Sequence, residues 1–154
     1  IAAISPFFFD DNKKLNCLFS SLDLLKTALP EMLSYSSIYV LFSNFLNELM
    51  FNNNWIVHYI FWEIKFLKEI GFDMNLTSNL LSKNYSKKNM VTVYIDNEKI
   101  NIPSFMVENK FENVDTKSIY RALKLIGKFL EKNILIPNNL KYSMPRKNLE
   151  SFFK

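Results

Sequence analysis

Glycine is the feature that most limits the folds open to this chain, because only Gly71 and Gly127 occur among 154 residues. Average usage is about 7%, so a chain of this length ordinarily holds roughly ten glycines. Sheets built from tight hairpins need many turn positions with positive φ, which glycine adopts at the least cost. Scarce glycine therefore argues against a β-sandwich or barrel. It also excludes phosphate-binding loops and dinucleotide fingerprints, whose glycines cluster in one turn.

Cysteine and histidine each occur once, as Cys17 and His58. A single cysteine excludes an internal disulfide, and a Cys/His zinc site needs four ligands. We therefore expect no metal and no cofactor. His58 lies within an apolar run, which favours a histidine in the core or at its edge, and Cys17 is expected to fill apolar space. One unpaired cysteine is typical of a reducing cytoplasm, where we expect the protein to act.

Paired carboxylates are the nearest approach to a catalytic pattern in the sequence. They occur as Glu63 with Glu69 and as Asp10-Asp11, and nothing near either pair indicates a substrate pocket. We therefore expect no catalytic residues and no enzymatic activity. No run of about 18 uncharged apolar residues occurs, so a membrane-spanning helix is not expected either.

Charge is distributed unevenly along the chain. The formal net charge of +4 combines −3 over residues 1–80 with +7 over residues 81–154, and the last 38 residues carry all of that +7. A basic end on a near-neutral body indicates an anionic partner, of which nucleic acid, an acidic peptide and a membrane surface are the candidates.

Hydrophobic periodicity predicts a single domain of mainly α class, a compact helical bundle with one small β-hairpin near residues 91–102. Helices are expected over about 12–28, 36–51, 55–70 and 116–134, with a short one from Pro145 to Phe153. Leu29-Pro30 is expected to end the first helix. The helix over 55–70 is apolar over most of its circumference, so we expect it to be central, with Trp55, Tyr59 and Trp62 in the core. The polar stretch 77–90 predicts a loop.

The helix predicted over 116–134 carries the clearest pattern in the sequence. Its basic residues recur at spacings of 4, 3, 4 and 4, which places them within a wedge of about 80°. These residues, here called the basic stripe, are Lys117, Arg121, Lys124, Lys128 and Lys132. The opposite face carries Ile119, Leu123, Ile126 and Leu130. The basic stripe suits phosphates or acidic side chains, although the solvated face of an amphipathic helix gives the same pattern.

The order of these features resembles the C-terminal helical domain of RecO, the bacterial recombination-mediator family, in its alphaproteobacterial type. The most specific segment, WEIKFLKEIGFDMNL over residues 62–76, resembles the family's signature of an aromatic-glutamate pair followed by apolar positions and a glycine. Two looser segments lie on either side of it: ALPE at 28–31 with Ile38-Tyr39, and LIGKFL at 125–130 with PRKNL at 145–149. Together the segments span nearly the whole chain in the family's order.

The resemblance implies a binding protein without catalysis. RecO proteins anneal complementary strands and, with RecR, help to load RecA onto DNA covered by single-strand-binding protein. The acidic, Phe-terminated tail of that protein docks on the helical domain. Single- and double-stranded DNA is bound mainly by an N-terminal OB-fold domain, which we expect upstream of Ile1 and absent from this chain. Many RecO proteins hold zinc through cysteines after the signature segment. Because Thr77, Ser78 and Asn79 stand there instead, we expect no zinc.

Candidate contacts for DNA phosphates or the acidic tail follow from the charge pattern and this resemblance. The first set is the basic stripe with Arg146 and Lys147, and the second is Lys65 and Lys68 on the signature helix. The sequence does not choose between the two ligands. Two alternatives are a helical interaction scaffold whose charges only keep it soluble, and a peripheral module lying on anionic lipid. Because the other helices need the same apolar face to close a core, we expect no membrane partner.

Overall fold

The computed structural model describes residues 11–29, 36–76, 80–82 and 89–154. Within these residues the chain forms six α-helices and one three-stranded antiparallel sheet of order β1-β2-β3. The helices are α1 Asn12–Ala28, α2 Ser36–Phe51, α3 Trp55–Glu69, α4 Phe105–Glu108, α5 Thr116–Leu130 and α6 Met144–Phe152. The strands are β1 Leu80–Ser82, β2 Met90–Ile95 and β3 Glu98–Pro103. The mainly α fold with a small hairpin is confirmed.

Helix α1 begins where a capping side chain is available. The Asp11 carboxylate accepts a hydrogen bond from the backbone N–H of Lys14 at 3.1 Å, which satisfies one of the donors that the first turn leaves free. The helix ends at Ala28, as predicted, with Leu29 in extended conformation. Pro30, which was expected to end it, lies outside the described residues. Helix α1 packs along α6, so the two ends of the described chain lie together.

Helix α3 is the centre of the core, as its apolar circumference predicts. Tyr59, Ile60 and Phe66 are completely buried. The ring of Trp62 stacks on that of Phe66 and on that of Phe45 from α2, both with centroids 5.3 Å apart. Aromatic pairs of this kind stabilise a core beyond the area that they bury. The placement of Trp55, Tyr59 and Trp62 in the core is confirmed.

The sheet is larger than the predicted hairpin. Strands β2 and β3 join through Asp96 and Asn97, whose φ values of 50° and 65° are those of a type I′ turn. Strand β1 pairs with β2 along its other edge. The prediction of a loop over 77–90 is therefore wrong at residues 80–82 and at Met90, the first residue of β2, while 77–79 and 83–88 lie outside the described residues. Three residues are too few to show an alternating pattern, and β2 supplies the pairing that makes them a strand.

Helix α5 is shorter than predicted because its last turns change type. Regular α geometry ends at Leu130, and Glu131–Leu135 continue as a π-helical turn before the 3₁₀ turn Ile136–Asn138. Pro137 has no N–H to donate, and its ring clashes with the carbonyl four residues earlier in regular helix. Ile134 and Leu135 are still buried, so the irregular turns keep apolar side chains in the core. The single-turn helix α4 was not predicted.

Tight turns in this chain are made largely by asparagine. In the described part of the chain, Gly71 is joined at positive φ by seven non-glycine residues, which are Asn75, Asn89, Asp96, Asn97, Asn109, Asn113 and Asn139. Asparagine and aspartate tolerate left-handed backbone better than other side chains do, since they bond their own backbone. Scarce glycine therefore does not mean few tight turns here.

Candidate functional site

The basic stripe lies on the outer face of α5. Its five side chains are all exposed, whereas Ile119, Leu123, Ile126 and Leu130 on the opposite face are buried. The predicted orientation of the helix is confirmed. The apolar face is occupied by the protein's own core.

Contacts along the basic stripe leave its charges accessible. The ammonium nitrogen of Lys124 lies 3.7 Å from Oε2 of Glu150, and that of Lys132 lies 3.4 Å from Oδ2 of Asp96. These lysine side chains are 48% and 60% exposed. The Lys132–Asp96 pair is exposed on both sides and contributes little to stability, about 0–1 kcal/mol, so an anionic ligand can replace Asp96 at small cost. Glu150 is only 11% exposed and stays bonded to Arg146.

The structure brings Lys147 of α6 beside the stripe. Lys124, Lys128 and Lys147 line one cleft of about 210 Å³ between α5 and α6. The carboxylates of Glu131 and Glu150 line the same cleft. The cleft therefore presents lysines from two helices, but its walls are polar and partly acidic rather than apolar.

Arg146 does not belong to this surface. It is 3% exposed, and its guanidinium donates from Nε to Oε2 of Glu63 and from Nη2 to Oε1 of Glu63, both at 2.9 Å. Nη2 also donates to the carbonyl of Leu123 at 3.0 Å. Burial is the largest single influence and disfavours the charged guanidinium, but the Glu63 carboxylate, together with Tyr59 and Tyr142, outweighs burial and raises the pKa of Arg146. Its predicted role as a surface contact is wrong, because the side chain is enclosed and paired.

Glu150 extends this buried ion pair towards the surface. Its Oε1 accepts from Nη1 of Arg146 at 3.0 Å and from the hydroxyl of Tyr142 at 2.5 Å. Because Oε2 of Glu150 also faces Lys124, one carboxylate joins the interior to the basic stripe. Burial raises the pKa of the Tyr142 hydroxyl, so it remains a donor at neutral pH.

Tyr59 completes the network on the α3 side. Its hydroxyl donates to Oε2 of Glu63 at 2.7 Å and lies 2.6 Å from Oγ of Ser20 on α1. Burial and then the nearby Glu63 charge raise the pKa of Tyr59. The same two causes raise the pKa of Cys17, which is completely buried. A neutral enclosed thiol is unreactive, consistent with Cys17 as apolar filler.

Two cavities along α3 are lined by mixed apolar and polar side chains, with Lys65 in both and Lys68 in one. One, of about 360 Å³, is bounded by the side chains Leu41, Asn44, Phe45, Glu48, His58, Phe61, Trp62, Lys65 and Phe111. The other, of about 400 Å³, is lined by Phe61, Ile64, Lys65, Lys68, Asp73, Met74, Asn75, Leu76, Met106 and Asn109. Phe61 and Lys65 belong to both, so the two cavities adjoin. We call this pair of cavities the α3 groove.

His58 lies in the α3 groove, at the edge of the core. Its ring stacks on Phe111 with centroids 4.6 Å apart. Its Nε2 lies 3.3 Å from Nδ2 of Asn52 and 3.5 Å from Oε2 of Glu48. The side chain is 22% exposed, which confirms a boundary position.

Comparison with known proteins identifies the family of the motif segments. A family model described as "Recombination protein O C terminal" matches residues 10–141. The chain belongs to the RecO C-terminal family. DNA repair protein RecO of Anaplasma marginale (strain Florida) is 31% identical over 93 residues, which cover 60% of this chain and 38% of that protein. DNA repair protein RecO of Ehrlichia chaffeensis is 28% identical over 148 residues, which cover 86% of this chain and 61% of that protein.

The chain therefore spans 38% to 61% of the length of these RecO relatives. No solved structure matches it. None of the described helices has the length and apolar character needed to cross a membrane. Among the described residues, no three His, Cys, Asp or Glu side chains are grouped so as to hold a metal ion. Thr77, Ser78 and Asn79, at the family's zinc position, lie outside those residues.

Two of the RecO motif segments meet in the buried network. Glu63 comes from the signature segment, while Gly127 and Arg146 come from the closing one. At Gly127 an added Cβ would overlap Oη of Tyr142 and lie 2.9 Å from Oε1 of Glu150. The glycine therefore lets Tyr142 and Glu150 approach α5. Sequence reasoning missed this network, although a glutamate within the apolar circumference of α3 was a signal that a buried partner exists.

Proposed function

We propose that this chain is the helical domain of a DNA repair and recombination mediator, and that it docks single-strand-binding protein. Membership of the RecO C-terminal family and the names of its relatives support this role. The domain acts by binding and not by catalysis. Together with an upstream OB-fold domain and RecR, it supports strand annealing and the loading of RecA in the cytoplasm.

The acidic tail of single-strand-binding protein docks in the α3 groove. The observation that carries this assignment is a cavity that combines the apolar side chains Phe61, Ile64, Leu76, Met74 and Met106 with two exposed lysines, Lys65 and Lys68, against the single carboxylate of Asp73. An apolar cavity suits a terminal phenylalanine ring, and ammonium groups at its edge suit the terminal carboxylate and the aspartates before it. The cleft beside Lys124 is less suitable, since it is smaller, about 210 Å³ against about 400 Å³, and the ring of Tyr142 is the one large apolar surface among its lining residues.

DNA phosphates contact the basic stripe and Lys147. Six exposed cations lie on α5, its continuation and the neighbouring α6, and an elongated row of cations matches a repeating phosphate backbone better than it matches a short peptide. These contacts would add to those of the upstream domain, which binds most of the DNA. The two ligands then occupy different faces of one domain.

A titration with a fluorescent acidic tail peptide tests the tail site. We expect saturable binding in the micromolar range, about −8 kcal/mol, which weakens with added salt and on removal of the terminal phenylalanine. The double charge reversal Lys65→Glu/Lys68→Glu should abolish binding, whereas Lys124→Glu/Lys128→Glu, the matched control, should leave it within about twofold. The reverse result would place the tail on the basic stripe, and no binding at low salt would reject docking by this domain alone.

A further inference from the structure

Helix α2 has two faces of opposite character. The buried face holds the core side chains Ile38, Phe42, Phe45, Leu46 and Leu49. Exposed residues on the other side recur at spacings of 4, 3 and 4, which places them within a wedge of about 60° opposite the buried face. These residues, here called the outer face of α2, are Val40, Asn44, Asn47 and Phe51.

The outer face of α2 exposes large apolar side chains. Val40 is 56% exposed and Phe51 is 76% exposed, and Tyr39 beside them is 72% exposed. Each of the other helices that the structure describes exposes at most one large apolar side chain. A single exposed apolar residue needs no explanation, whereas several on one helix indicate a surface that binds a partner.

The outer face of α2 carries no charge. Glu48 is the one acidic or basic residue in the helix, and it is turned towards the start of α3. Its Oε2 accepts a hydrogen bond from Nδ2 of Asn52 at 2.8 Å and lies 3.5 Å from Nε2 of His58. Phosphates and acidic peptides are bound by cations, so the outer face suits neither. It suits a partner surface that is itself uncharged and partly apolar.

The spacing of the outer face makes it complementary to a second copy of itself. A 4-3-4 pattern is symmetric about its midpoint, so an antiparallel pair of α2 helices sets Val40 against Phe51 of the second copy. In the same register Asn44 meets Asn47 of the second copy, and the two-fold axis repeats both contacts. These are the spacings of a coiled-coil seam, in which asparagines specify register through their side-chain amides. Glu48 then lies opposite Ser43 of the second copy, so like charges do not meet.

We propose that the outer face of α2 binds a second copy of this chain and forms a symmetric antiparallel dimer. The helix has 16 residues, so its length is about 24 Å. One face of such a helix buries less than the roughly 1,200–2,000 Å² of a stable interface. The dimer therefore exchanges with the monomer at micromolar to millimolar protein concentrations.

Sedimentation equilibrium of the 154-residue chain from micromolar to millimolar concentration tests the dimer. We expect the average mass to rise from 18.2 kDa towards twice that value. Val40→Lys and Phe51→Glu should each weaken the association by more than about tenfold, since symmetry places two charges in the apolar seam. The double variant Val40→Lys/Phe51→Glu should recover it, because the antiparallel register sets the two opposite charges against each other.

The matched control is Met144→Lys, which changes an exposed apolar residue of α6 and should not alter the association. A mass that stays at 18.2 kDa up to millimolar concentration would overturn the proposal and leave the outer face to a different protein. Association that survives both single variants, or that Met144→Lys weakens equally, would also overturn it. Failure of the double variant to recover would exclude the antiparallel register. The assay contains neither DNA nor tail peptide, so its result is independent of the proposed function.

Discussion

Arg146 and Glu63 face each other through two parallel hydrogen bonds of 2.9 Å, although 83 positions separate them in the chain. This pair fixes α6 against α3, and the bond from Arg146 to the Leu123 carbonyl fixes both against α5. A surface helix of nine residues is too short to be stable alone in water. The ion pair therefore helps to hold Lys147 beside the basic stripe.

Replacement of Arg146 tests this arrangement. We expect Arg146→Met to lower the free energy of unfolding by about 3–5 kcal/mol, because it leaves Glu63 buried without a cation. Lys147→Met, at the adjacent exposed position, should change it by no more than about 0.5 kcal/mol. Urea denaturation followed by circular dichroism measures both. A midpoint for Arg146→Met equal to that of the unsubstituted protein would show that the pair does not stabilise the fold.

The two glycines should respond differently to alanine. Gly127→Ala places a methyl group against Oη of Tyr142, and we expect a loss of about 1–3 kcal/mol from crowding. Gly71 has φ of +101° and nothing within 4 Å of an added Cβ, so Gly71→Ala suffers from backbone strain alone. Tyr142→Phe, which removes the oxygen, should recover part of the first loss and none of the second. Thermal unfolding measures these changes. An equal effect of Tyr142→Phe on the stability of the Gly127→Ala and Gly71→Ala proteins would contradict this explanation.

Stability should fall at alkaline pH. Burial raises the pKa of Tyr59 and Tyr142 above the ordinary 10.0, and that of Cys17 above the ordinary 9.0. The folded protein keeps these protons while the unfolded chain loses them, so stability is full below about pH 9 and declines as the pH rises further. Each group contributes a slope of up to about 1.4 kcal/mol per pH unit. Tyr142→Phe should reduce the slope in urea titrations between pH 7 and 11, and an unchanged slope would exclude Tyr142 as a contributor.

Binding of single-stranded DNA should depend on salt through the basic stripe. Each phosphate contact adds about 0.7 to the magnitude of the slope of log K against log salt concentration. We expect Lys124→Ala and Lys128→Ala each to reduce that magnitude by about this amount in anisotropy titrations with an oligothymidine. Lys26→Ala, an exposed cation on α1, is the control and should leave the slope unchanged. A uniform effect of all three variants would indicate attraction by net charge rather than contact.

Repeating patterns made the helices predictable. The bounds of α1 and α2 match the prediction, and α3 ends one residue earlier than predicted. Long apolar stripes and flanking caps or asparagines define these helices locally. The outward orientation of the basic stripe followed from the same spacing. Strand β1 was missed because its three residues depend on pairing with β2, and the π-helical turn after Leu130 was missed because Pro137 acts on the preceding carbonyls.

The candidate sites show where sequence reasoning ends. Arg146 and Lys147 are adjacent basic residues that the sequence alone does not distinguish, yet Arg146 is buried and Lys147 is exposed. The distinction depends on Glu63, whose position opposite α6 is set by packing rather than by any local signal. The α3 groove was likewise indicated only by Lys65 and Lys68, since its apolar wall combines α3 with Met74 and with Met106 of α4.

Asparagine at the positive-φ turns has a consequence for the gene as well as for the backbone. Codons for glycine are rich in G and C, whereas those for asparagine are rich in A and T. A coding sequence poor in G and C can therefore keep tight turns such as Asp96-Asn97 and Asn139, where asparagine or aspartate adopts the left-handed conformation in place of glycine. The tight turns of this fold therefore do not depend on glycine codons.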